Sequence, residues 1–141
     1  MKKPMVLRGR GIIDGLAEGE ALVVPTHIHT SGLDSKKGLI REVDHPQNGE
    51  SIKGKVLVFN NVAGSSDWGA TLHSVWRNGN GPIALVNQTA ITLVLHGAIS
   101  TRIPVVVDLD RDPLEVIETG DLVKVDADHG TVEVRKEKQG S

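Results

Sequence analysis

Gly64-Ser65-Ser66 follows the apolar run Val56-Leu57-Val58-Phe59 and precedes a segment of helical periodicity. Strand, turn and helix start in that order make an anion grip. The first N–H groups of a helix lack partners within it and carry partial positive charge, so carboxylates and phosphates bind there. Gly64 lets the backbone come close to a ligand. A serine hydroxyl adds a hydrogen bond or, if activated, moves a proton. A serine before a helix also serves simply as an N-cap, and the turn alone does not separate the two roles. Other polar clusters promise less. His27 and His29 form His-x-His, a spacing that lets two imidazoles share a metal, but no third or fourth ligand is clearly placed, and they read as surface histidines. His45, His96 and His129 read as loop or core residues. Asp108, Asp110 and Asp112 alternate after a buried strand and carry the oxygen ligands a hard cation prefers, although Asp112-Pro113 is better explained as a helix start.

These residues need elements to hold them. Met5–Leu7 and Glu20–Val24 are predicted as short strands, separated by a turn-rich stretch with Gly9, Gly11, Gly15 and Gly19. Thr26–Glu50 shows no sustained period and is predicted as a long loop. Lys55–Asn60 is a buried strand. Ser65–Asn78 is the clearest helix, because Trp68, Leu72, Val75 and Trp76 share one face, a serine can cap the start and Asn78-Gly79 stops it. Pro82–Asn87 is a strand and Thr89–Ile99 a buried helix. Pro104–Asp108 is an apolar strand, followed by a turn of helix around Pro113–Ile117. Asp121–Asp126 and Thr131–Val134 flank Ala-Asp-His-Gly as a closing hairpin. Strands alternating with two helices, and hairpin-like strands at both ends, predict one domain of mixed α/β class over residues 1–141, with 135–141 a polar tail.

Composition narrows the function classes. The net charge is −2, with one Phe, two Trp and no Tyr, so neither a basic face for duplex nucleic acid nor an aromatic platform for single strands is present. No apolar run approaches the length of a membrane span, and Met1–Leu7 is too short for a signal peptide. Cysteine is absent, which suits a cytoplasmic location and means that this chain cannot hold a Cys-ligated iron–sulfur cluster by itself.

Taken in order, several short motifs together resemble the small subunit of the aconitase X family over nearly the whole chain. They begin with Gly9-Arg10-Gly11 and Gly15-Leu-Ala-Glu-Gly-Glu-Ala-Leu22, followed by Gly32-Leu33-Asp34 with Gly38. The most specific piece is Asp44-His45-Pro46-x-x-Gly49-Glu50-Ser51-x-x-Gly54-Lys55-Val-Leu-Val58. Then come Gly64-Ser65-Ser66, Asn78-Gly79-x-Gly-Pro82-Ile-Ala84, Gly97-Ala98-Ile99, Ile103-Pro104 and Thr119-Gly120-Asp121. The resemblance implies a swivelling β/β/α domain and a hydro-lyase (dehydratase) subunit active only with its large subunit. That large aconitase X subunit would hold the iron or iron–sulfur cluster, with no cofactor or metal bound by this chain. The substrate implied is a small hydroxy acid, either cis-3-hydroxy-L-proline or mevalonate 5-phosphate. Carried over by motif, the catalytic serine falls on Ser65 with Ser66 as second candidate, and Gly64, Ser65 and Ser66 bind substrate. Family members usually continue Gly-Ser-Ser/Thr-x-Gly-Ser, whereas Asp67-Trp68-Gly69-Ala70 follows here. Two alternatives stand beside this reading. Thr71-Leu72-His73-Ser74 resembles the Thr-x-His-Ser pattern of phosphohistidine carrier domains, although His73 falls mid-helix, and a non-catalytic assembly module is the third reading.

Overall fold

A strand whose two faces are both apolar needs a layer on each side, and four runs of this chain have that character. The computed structural model describes residues 4–24, 28–29, 33–34, 36–41, 47–59, 62–63, 68–87 and 101–136. In it the four runs are the C-terminal half of β3 (Leu16–Val24), β7 (Val56–Phe59), β9 (Ala84–Val86) and β10 (Val105–Val107). They pair in parallel in the order β3-β7-β9-β10. Their side chains divide by parity into two cores. Leu22, Val24, Leu57, Phe59, Leu85, Val105 and Val107 form one with Val75, Ile40 and Ile52. Ala21, Val23, Val56, Val58, Ala84, Val86 and Val106 form the other with Leu7, Val123, Val125, Val132 and Val134. Parallel strands buried on both faces and rich in Val, Ile and Leu are the expected outcome.

The second core is enclosed by antiparallel strands. β1 (Met5–Arg8) pairs with β12 (Thr131–Arg135), β12 with β11 (Leu122–Asp126), and β11 with β3. At the far side β2 (Arg10–Ile13) pairs antiparallel with β10. The full order is β1-β12-β11-β3-β7-β9-β10-β2. β1 and β2 lie at opposite ends of that order, yet only Gly9 separates them in sequence. One chain segment therefore joins the two edges, and the sheet closes around the second core. The Gly9 N–H donates to the Gly130 carbonyl at 2.7 Å, and the Asp110 N–H to that of Arg8 at 2.8 Å. The first core is covered by α1 (Trp68–Arg77) and by the segment of β6 (Leu39–Ile40) with residues 49–52. The mixed α/β class is found as expected.

Several expectations are corrected. The turn-rich stretch after β1 contains β2 and the first half of β3, because its glycines sit where backbone crosses backbone. A Cβ on Gly11 would collide with the Ala127 carbonyl oxygen. The two strands expected near the N-terminus are not a hairpin, since β1 pairs with β12 whereas β3 pairs with β11 and β7. The loop 26–50 carries short ladders: β4 (Ile28–His29) parallel to β8 (Val62–Ala63), and β5 (Leu33–Asp34) antiparallel to β6. Two-residue strands leave no periodicity to read. Trp76 is 43% exposed while Val75 is fully buried. Neighbouring helix positions point about 100° apart, so only one of the two can face the sheet squarely. The expected helix 89–99 lies outside the described residues.

Helix ends follow the sequence closely. Gly79 N–H bonds to the Trp76 carbonyl and Asn80 N–H to that of Val75, each at 2.9 Å, which is the double return bond of a Schellman stop after α1. Asp112 caps α2 (Pro113–Val116) by accepting the Leu114 N–H at 3.0 Å. The polar tail begins later than expected, because Arg135 ends β12 and Lys136 is anchored. Lys136 Nζ donates to Asp121 Oδ2 at 2.9 Å and to the Val116 carbonyl at 2.6 Å, while the same carboxylate oxygen accepts the Glu118 N–H at 2.8 Å. Residues 137–141 lie outside the described residues. Asp121 is 4% exposed, so its truncation removes one partner of Lys136 and the acceptor of the Glu118 amide. Asp121→Ala is expected to cost about 2 kcal/mol, checked by chemical denaturation. An unchanged midpoint would show that the hairpin base stands without this carboxylate.

Candidate active site

In open and closed parallel sheets alike, ligands bind outside the carboxyl ends of the strands, where the connections to the following helices lie. In this chain that edge is marked by Val24, Phe59, Asn87 and Asp108, which end or follow β3, β7, β9 and β10. α1 begins at the same edge. Its C-terminal end is tied to the opposite one, where Gly54 N–H donates to the Gly81 carbonyl at 3.0 Å and Ile83 N–H to that of Lys55 at 2.9 Å. Ten helical residues span about 15 Å, which carries the start of α1 back across the sheet. Gly64, Ser65 and Ser66, expected to be the substrate-binding turn, lie outside the described residues. The described chain brackets them, with β7 and β8 before and α1 after.

Of the polar residues at this edge, Asn87 and Arg10 were not singled out as site residues from sequence, and Asp108 was read only as a possible cation ligand. Asn87 follows β9, is 3% exposed, and its N–H donates to the Val106 carbonyl at 3.2 Å. A polar residue closing an apolar strand was the available signal. Asp108 follows β10 with φ +54°, a left-handed conformation uncommon outside glycine. Arg10 opposes Val107 across the β2–β10 ladder. Its Nε and Nη2 both donate to Asp108 Oδ2, at 3.0 and 2.6 Å. Gln47, from the most specific motif, reaches the same end of β3, with Nε2 donating to the Val23 carbonyl at 3.3 Å.

The remaining candidates separate from this edge or take structural roles. The three aspartates do not converge. Asp108 pairs with Arg10, Asp110 Oδ1 accepts the Arg8 N–H at 3.0 Å, and Asp112 caps α2. Among the described residues no group of three or more His, Asp or Glu could hold a metal ion. His73 lies in the middle of α1, half-buried, its ring 5.5 Å from that of Trp76. A carrier histidine needs a helix start to meet phosphate, so this position does not suit one. His129 lies in the β11–β12 turn, its Nδ1 2.9 Å from Asp126 Oδ2. Desolvation raises the Asp126 carboxyl, but hydrogen bonds from the His129 side chain and backbone outweigh it and hold its pKa below the ordinary carboxylate value. The side chains of His27, His29, His45 and His96 lie outside the described residues. A groove of about 600 Å³ runs past Leu16, Trp76, Ile83, Arg102 and Pro104. It lies at the amino ends of the parallel strands, opposite the candidate edge.

Known proteins agree with this architecture. The family described as aconitase X swivel domain matches residues 6–134. A phosphomevalonate dehydratase small subunit of Methanosarcina acetivorans is 39% identical over 136 residues, covering 96% of this chain and 94% of the relative. One of Archaeoglobus fulgidus is 39% identical over 126 residues, covering 89% and 95%. Among solved structures, the crystal structure of Thermococcus kodakaraensis aconitase X in its holo-form superposes with a TM-score of 0.87 at 34% identity, covering 94% of this chain and 99% of that one. The closed sheet, its parallel strands buried on both faces and the covering helix are thus those of a known swivel domain, and the chain belongs to the aconitase X family.

Proposed function

We propose that this chain is the small subunit of a dehydratase acting on mevalonate 5-phosphate, working with a large aconitase X subunit. The observation that carries this is near full-length similarity, in both directions, to small subunits bearing that activity in their name. Of the two substrates the resemblance implies, the phosphorylated hydroxy acid is favoured over cis-3-hydroxy-L-proline on the same ground. A cytoplasmic location accords with the absence of cysteine.

Removing water from a β-hydroxy acid requires a base for the Cα proton, help for the departing hydroxide, and a grip on the anionic groups. The donor set of this chain does not fit an iron–sulfur cluster, since it has no thiolate to offer. That cofactor belongs with the large subunit. This chain supplies the first turn of α1 as an anion grip, and Ser65, with Ser66 beside it, as the group that moves a proton. Gly64 lets the backbone approach the substrate. The carboxyl-end edge faces the large subunit.

Reconstitution tests the proposal. The chain alone is expected to carry no cluster absorbance and no dehydratase activity. The complex with the large subunit is expected to dehydrate mevalonate 5-phosphate and to leave cis-3-hydroxy-L-proline unchanged, followed by product formation. Turnover of the proline alone would assign the other substrate. Stoichiometric iron with cluster absorbance in this chain alone would overturn the two-subunit division.

A further inference from the structure

Arg10 is placed by the register of the β2–β10 ladder. Its partner in the β2–β10 ladder is Val107, the last residue of β10, which puts it at the carboxyl edge of the parallel strands. Residues directly opposite in an antiparallel ladder share a face. Val107 belongs to the core covered by α1, so Arg10 stands on the α1 side of the sheet. Gly11 is opposite Val106 and would drive a Cβ into the Ala127 carbonyl inside the second core, which fixes the same parity from the other residue. Arg10 therefore shares both an edge and a face with the start of α1.

Its guanidinium is held rather than left to wander. Asp108 Oδ2 accepts Nε and Nη2 together, and Asp108 has a left-handed backbone. Backbone strain on a non-glycine residue persists where the surroundings impose it, and such positions cluster at ligand sites. The rim beneath is locked by reciprocal bonds between Arg8 and Asp110, at 3.0 and 2.8 Å. The pair is open to solvent, with side-chain exposures of 61% and 49%, and an exposed pair of this kind adds little stability. Stability does not account for a strained aspartate aiming an arginine along the strand ends.

The geometry points to Arg10 as the residue of this chain that binds the phosphate of the substrate, with Asp108 as the positioning residue that aims it. The inference rests on the proposed function and deepens it. A guanidinium is the usual partner for a phosphate monoester, because its planar fork of donors matches two phosphate oxygens.

The test uses the reconstituted complex. Arg10→Met is expected to raise KM for mevalonate 5-phosphate about tenfold or more with a smaller change in kcat, and Arg10→Lys to recover part of the loss. Asp108→Asn, which tolerates the left-handed backbone, is expected to raise KM less than Arg10→Met. Inorganic phosphate, added to the complex without substrate, is expected to raise its melting temperature, and Arg10→Met to abolish that shift. Arg10 is overturned as the phosphate residue if phosphate produces no shift, or if Arg10→Met retains the shift and the parental KM. It is also overturned if the variant fails to assemble on gel filtration, which would assign Arg10 to the subunit contact. Failure of the proposed function is read separately, as no turnover of mevalonate 5-phosphate by the parental complex.

Discussion

Ser65→Ala, assayed in the complex with the large subunit, is expected to lower kcat by about a hundredfold or more while the chain keeps its fold. Losing a group that moves a proton in the transition state typically costs that much. Losing a helix N-cap costs about 0.5–2 kcal/mol, which a domain stable by roughly 5–15 kcal/mol tolerates. The two roles of a serine before a helix are therefore read by different instruments: the melting temperature reports the cap, and the rate constant reports the chemistry. Ser66→Ala is the internal control and is expected to be milder. The reverse order would move the role by one residue, which the unusual Asp67-Trp68-Gly69-Ala70 continuation makes worth testing. Parental rates in both variants would refute the serine role and favour an assembly module.

Gly11→Ala is expected to have the largest effect on stability. The added Cβ would meet the Ala127 carbonyl oxygen well inside contact distance, with the Ala127 Cα only 3.2 Å away. Those atoms are backbone, and they belong to the β11–β12 turn that is itself fastened. Ala127 N–H donates to the Gly15 carbonyl at 2.9 Å, and Asp128 Oδ1 accepts the Gly15 N–H at 3.0 Å. No flexible side chain is available to move aside. Overpacking at such a point costs about 3 kcal/mol, which lowers the melting temperature of a domain this size by roughly 10 °C. Thermal unfolding followed by circular dichroism checks it. A parental melting temperature would mean that β2 does not cross the hairpin turn as closely as described, and the closure of the sheet would need revision.

The sequence by itself determined the parts that depend on local pattern. Val56–Phe59, Ala84–Val86 and Val105–Val107 are apolar at every position, and only a strand covered on both faces makes use of that. The Asn78-Gly79 stop, the Asp112 cap and the closing hairpin were legible because a cap or turn is decided by a few adjacent residues. The ordered motifs led to the family for the same reason.

What the tertiary structure alone decided is long-range. Nothing in residues 5–13 announces that β1 and β2 join opposite edges of one sheet. The glycines that permit it look like turn residues until their neighbours, Ala127 and Gly130 among them, are brought in from more than a hundred positions away. Arg10 and Asp108 are 98 residues apart in sequence, and each alone is an ordinary surface charge. The β2–β10 ladder pairs them, on the same edge and face as the start of α1. Periodicity records which face of an element is buried. It does not record which other element lies opposite, and for this chain that pairing gathers the polar groups at the carboxyl ends of the parallel strands.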